Sequence, residues 1–84
     1  MSNRRIRLIW DFRGHDAQQI AEHHCIHLEE FREKSSVRIE EIRSQFIEEF
    51  YSTASLVVNE SDMMAVRDAL RPHRGEVAKP NDEK

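Results

Sequence analysis

The chain of 84 residues is 38% hydrophobic and 35% charged, with 13 lysines and arginines, 16 aspartates and glutamates and a formal net charge of −3. That length supports one two-layer core and no second one, so an active site has to lie on the core's surface or between copies. Charges of both signs are interspersed, and the slight acidity argues against the broad cationic surface that nucleic acids and anionic membranes demand; only "NRRIR" and "RPHR" are locally basic.

The first element is "RIRLIWDFR", residues 5 to 13, where Ile6, Leu8, Trp10 and Phe12 alternate with Arg5, Arg7, Asp11 and Arg13. A period of two with one apolar face predicts a half-buried strand. Gly14 then turns the chain, and "DAQQ" offers Asp16 as a helix N-cap with Gln19 three residues on, where its amide can reach back to the cap. A helix is expected from about Asp16 to Lys34, with Ala17, Ile20, Ala21, His24, Leu28 and Phe31 on its apolar stripe.

"VRIEEIRSQFIEEF", residues 37 to 50, fits two templates. Ile39, Ile42, Phe46, Ile47 and Phe50 are spaced as on a helix, whereas Ile42, Ser44, Phe46 and Glu48 alternate as on a strand. The preferred reading is a strand near residues 42 to 50, because an opening strand with four large apolar residues on one face needs sheet neighbours. "STASLVVN" follows as a strand with Ala54, Leu56 and Val58 inward. "NESDMMAVRDALRP" reads as a short helix capped by Asn59 or Ser61, stopped by Pro72, with Met63, Val66 and Leu70 buried. After Gly75, "EVAK" suffices for one short edge strand, and residues 80–84 are expected to fray.

The order β-α-β-β-α-β is that of a ferredoxin-like two-layer α+β sandwich, folded as a single domain over residues 1–79. If residues 38–50 were helical instead, a three-stranded α/β domain would result. The architecture hosts many unrelated functions, so function has to be argued from sites.

No apolar run reaches the length of a membrane span, and the N-terminal residues lack the apolar core expected of a secretory signal peptide. The single cysteine, Cys25, has no partner for an internal disulfide; cytoplasmic location is the expectation. No cofactor motif stands out.

Three constellations could carry chemistry. "EHHCIH" places His23 and His27 at i and i+4, a chelating spacing for a metal ion, but the sequence offers no further His or Cys cluster to complete the ligand set. His24 falls in the apolar stripe and Cys25 beside it, which suits packing better than catalysis. In the expected topology, Arg13, Gly14 and His15 after the first strand and Arg71, His73 and Arg74 before the last lie at one end of the sheet. Beside the N-terminus of the first helix they would form a phosphate or carboxylate pocket. The third constellation is the sheet face without helices, where Ile9, Ile47, Tyr51 and Val57 make an apolar centre ringed by Arg5, Arg7 and Arg43. With Tyr51 as its one aromatic, that face lacks the stacking platform of an RNA-binding sheet.

These features predict a small binding or regulatory module that forms a homodimer through the open sheet face and binds a small anion. The competing expectation is a metal- or histidine-dependent enzyme using the histidines of the first helix, or His15 or His73 as acid and base.

Overall fold

The structure, a computed structural model, describes residues 4–78. There the chain runs β1 (Arg5–Arg13), α1 (Ala17–Lys34), β2 (Ile39–Glu48), β3 (Tyr51–Asn59), α2 (Glu60–Leu70) and β4 (Arg74–Ala78). The fraying expected over residues 80–84 lies outside the described residues.

The four strands form one sheet in the order β2-β3-β1-β4, with every neighbouring pair antiparallel. β1 and β2 both run against β3, so they are parallel to each other with β3 between them. β3 and β4 are likewise parallel with β1 between them, and each helix is the crossover of one such split pair. The fold is therefore α+β, four antiparallel strands with two helices.

The helical alternative for residues 38–50 is overturned, because Ile39–Glu48 is a strand. Its backbone pairs with the edge of β3, with Ile39 opposite Val58 and Phe46 opposite Ser52. An irregularity between Glu40 and Arg43, with Glu41 at φ 51°, inserts an extra residue. That bulge separates Ile39 from Ile42 by three positions although both pack on the core, and so imitates a helical period in the sequence.

Ile6, Leu8 and Trp10 of β1, Leu56 and Val58 of β3 and Ile39 of β2 form one buried cluster with Leu28 of α1 and Val66 of α2. Both helices thus cover the same face of the sheet. α1 packs through Ala17, Ala21 and Leu28, and the two alanines let its first turns lie close to the strands. Ile20, expected on the stripe, is rotated off it and is 47% exposed. The expected capping box is also absent: Asp16 sits at φ −101° and ψ 18°, outside the extended geometry of an N-cap, and its side chain makes no cap bond. α2 ends where Arg71 turns left-handed at φ 54° and gives its N–H to the Arg67 carbonyl, with Pro72 next.

Candidate ligand groove between α2 and β4

The residues expected to hold an anion are drawn into other contacts. Arg74 donates from Nε to Oδ2 of Asp11 at 3.0 Å and from Nη2 to Oδ1 at 3.2 Å. The Tyr51 hydroxyl donates to the same Oδ1 at 2.6 Å, and the Arg13 guanidinium lies 3.9 Å from the Tyr51 ring centre. The Arg74 hydrogen bond, helped by that of Tyr51, holds the Asp11 carboxyl below its ordinary range; Asp11 in turn raises Arg74. Arg74 is therefore engaged by a carboxylate supplied by β1, and Arg13 by the ring of the tyrosine that shares that carboxylate.

Each of the two loops is held by other contacts. β4 begins opposite Ile9, and the His73 N–H bonds the Ile9 carbonyl while its ring Nδ1 accepts the Asp11 N–H at 2.8 Å. Gly14 gives its N–H to the Phe50 carbonyl, and His15 packs edge-on against Phe50 at 4.7 Å. Arg71 stands apart at the end of α2.

The open face of the sheet is already covered. Ile9 is 5% exposed and Val57 0%, with Thr53 and Ser55 buried beside them. Long side chains lie across them: the Arg7 side chain is only 15% exposed and pairs with Glu41 at 2.9 Å, while Arg5 pairs with Glu40 at 2.6 Å. The β2 bulge brings Glu41 into this array. Arginine stems exclude water from the apolar centre while their heads stay solvated, so a monomer does not leave that centre wet. Ile47 and Tyr51, the other two residues assigned to this face, are exposed and half-buried respectively, at the β2–β3 turn.

The histidines of α1 divide as the helical period implies. His23 and His27 are exposed with their Nε2 atoms 3.1 Å apart, and His27 Nδ1 lies 3.5 Å from Glu30. Among the described residues no group of three or more His, Cys, Asp or Glu side chains could hold a metal ion. His24 packs against Trp10 at 4.7 Å and Phe12 at 5.5 Å, and its Nε2 is buried with no hydrogen-bond partner among the described residues. Burial lowers its pKa, and the neighbouring histidines add to the effect. Burial, with Glu29 and Glu22 nearby, raises the Cys25 thiol and leaves it a poor nucleophile.

A different hollow opens on the helix side of the sheet. α2 packs on β1 and β3, leaving β4 uncovered and a cavity of about 390 Å³ beside it. Ile6 and Leu8 form its floor, Met63 and Arg67 of α2 one wall, and Val77 of β4 the other. Gly75, opposite Leu8, keeps the floor open: a Cβ there would stand 3.2 Å from Leu8 Cδ2. Arg67 and Pro72 also line an adjoining hollow of about 280 Å³ with Arg71 and Asp68. Arg67 contacts Asp68 at 3.4 Å with both heads about half exposed or more, and Arg71 makes no ion pair among the described residues. An apolar trough thus leads to two guanidinium groups. The signal for it in the sequence was the i, i+4 pair Met63 and Arg67 facing a strand whose second residue, Gly75, has no side chain.

Comparison with protein-family models, with curated proteins and with solved structures returned no match. No helix among the described residues is long and apolar enough to cross a membrane.

Proposed function

We propose that the protein is a small non-catalytic binding module whose ligand has a short apolar body and one acidic group, seated in the α2–β4 groove. The carrying observation is the continuity of the apolar trough, floored by Ile6 and Leu8, with the hollow containing Arg67 and Arg71. A concave, mostly apolar site with a few convergent polar groups is the usual form of a small-molecule site, and guanidinium forks suit carboxylate or phosphate oxygens. The acid-binding role expected at the start of α1 moves to the end of α2, since Arg74 is engaged by Asp11 and Arg13 by Tyr51. We further read the two split β-α-β units as a ferredoxin-like sandwich acting in the cytoplasm, which suits the antiparallel order and the lone, partly buried Cys25.

The enzyme reading has less support: His15, His24 and His73 are each occupied by packing or a backbone bond, and Cys25 is deactivated by burial. The test is thermal unfolding with hexanoate, against hexanol and acetate as controls. Hexanoate should stabilise saturably, by about 2.7 kcal/mol at a hundredfold excess over its dissociation constant. Hexanol lacks the acid and acetate the apolar body, so each should do less. In the variant carrying Arg67→Ala and Arg71→Ala the advantage of hexanoate should vanish. Equal effects of hexanoate on both proteins would count against the groove.

A further inference from the structure

The two edges of the sheet differ. β2 is interrupted by two register shifts, the kind of irregularity that protects an edge from pairing. β4 pairs with β1 in unbroken register from Arg74 to Ala78, has neither lysine nor proline, and has no strand on its outer side among the described residues.

Two backbone bonds fix what that outer side offers. Gly14 N–H to Phe50 C=O and Glu60 N–H to Arg4 C=O both continue the β1–β3 register at even-numbered positions of the first chain segment. In an antiparallel ladder alternate residues bond to opposite neighbours, so even residues of β1 bond to β3 and odd ones to β4. Arg5, Arg7 and Ile9 face Ala78, Glu76 and Arg74, whose backbone groups are thereby used inward. Gly75 and Val77 are left with N–H and C=O directed outward.

We propose that β4 is a dimerisation edge, pairing antiparallel with β4 of a second copy about a two-fold axis through Gly75. In that register Gly75 exchanges both backbone bonds with its counterpart. The Val77 N–H meets the His73 carbonyl of the second copy, which is available because His73 uses only its N–H inward. Arg74 stands opposite Glu76 of the second copy, and Glu76 opposite Arg74, an opposite-charge cross-strand pair made twice by symmetry. Arg74 can accept the partner: Nε and Nη2 hold Asp11, while Nη1 has only its own Glu76 at 3.9 Å. Moving the axis to Glu76 would set glutamate against glutamate, so charge selects the Gly75 register. On the helix side Val77, 45% exposed, would be covered by the second copy beside its His73. The open flank of the groove would then gain a wall from that copy. The inference does not depend on the groove having a ligand, because ligand-free protein should associate.

Sedimentation equilibrium of the ligand-free protein, from low to high micromolar concentration, tests this against Glu76→Lys and Glu76→Gln. Both variants change an exposed side chain, and circular dichroism checks that each is folded. Wild type should reach the mass of a dimer. Glu76→Lys should weaken association by at least about tenfold, because the axis repeats each like-charge contact. Glu76→Gln should weaken it less. In wild type the Gly75 and Val77 amides should exchange more slowly as concentration rises. A wild type that stays monomeric at high micromolar concentration would overturn the proposal, as would a dimer indifferent to Glu76→Lys. A dimer tightened by Glu76→Gln would overturn the Gly75 register.

Discussion

Arg74 grips both oxygens of Asp11 across the β1–β4 pair, and the Tyr51 hydroxyl completes the carboxylate's shell. Asp11→Asn should lower stability at neutral pH by about 1 kcal/mol, since the Arg74 side chain is half exposed and solvent screens the pair. The folded-state pKa of Asp11 lies below its unfolded value, so its contribution is present above the unfolded value and is lost as pH falls through the folded one. Urea unfolding of both proteins should therefore show a gap at pH 7 that narrows below about pH 4. A gap that persists unchanged in acid would mean that the carboxylate charge is not its source.

His24 also costs stability in acid, but from a higher pH. Its folded-state pKa is lowered by burial, so the unfolded chain binds the proton first as pH falls, and stability drops below about pH 6.5 until the folded-state pKa is passed. Its Nε2 also lacks a partner among the described residues. His24→Leu should flatten the acid limb of the stability profile and be neutral or stabilising at pH 7, by up to about 1 kcal/mol. A variant clearly less stable than wild type at pH 7, with the acid limb unchanged, would show that the imidazole has a partner that matters.

Gly75→Ala probes the floor of the groove. The added Cβ would stand 3.2 Å from Leu8 Cδ2, tighter than most such contacts, so β4 or Leu8 has to give way. The expectation is a loss of about 1 kcal/mol together with weaker hexanoate binding. Unchanged stability and binding would show that the strand relaxes freely there.

His23 and His27 should chelate added nickel or zinc weakly and reversibly, as an i, i+4 pair with two protein ligands. Titration monitored by calorimetry should show one site per chain that His27→Ala removes. Protein purified without a tag should lose any metal on dialysis against a chelator. Stoichiometric metal surviving that dialysis would revive the enzyme reading.

The parts of the fold written in strict periods were legible in the sequence. In β1, Ile6, Leu8 and Trp10 fall inward with Ile9 the one large apolar residue on the other face, and Ala54, Leu56 and Val58 fall inward on β3 as read. β2 was ambiguous because a bulge adds a residue between Ile39 and Ile42, and a period of two cannot register an insertion. The sites were less legible. Arg13, His73 and Arg74 do gather near one end of the sheet, but a sequence lists charges without saying which are paired, and Asp11 stands on the same strand as Arg13. Ile9 and Val57 stand in the sequence as an apolar centre open to a second copy, because the alternation gives each side chain's face and not how far an arginine stem reaches over its neighbours. The Met63 and Arg67 pair and Gly75 did not by themselves define the groove, because it depends on how little of β4 α2 covers.

The most direct test of the central claim is a residue-resolved titration of isotopically labelled protein with hexanoate, followed by backbone amide shifts. Saturable shifts should concentrate at Met63, Arg67, Gly75 and Val77 and share one dissociation constant. They should disappear when Arg67 and Arg71 are both alanine, while the amides around Gly14 and His15 stay still. Shifts centred on Gly14 to Ala17 at the start of α1, or small unsaturable shifts spread over the whole surface, would contradict the account.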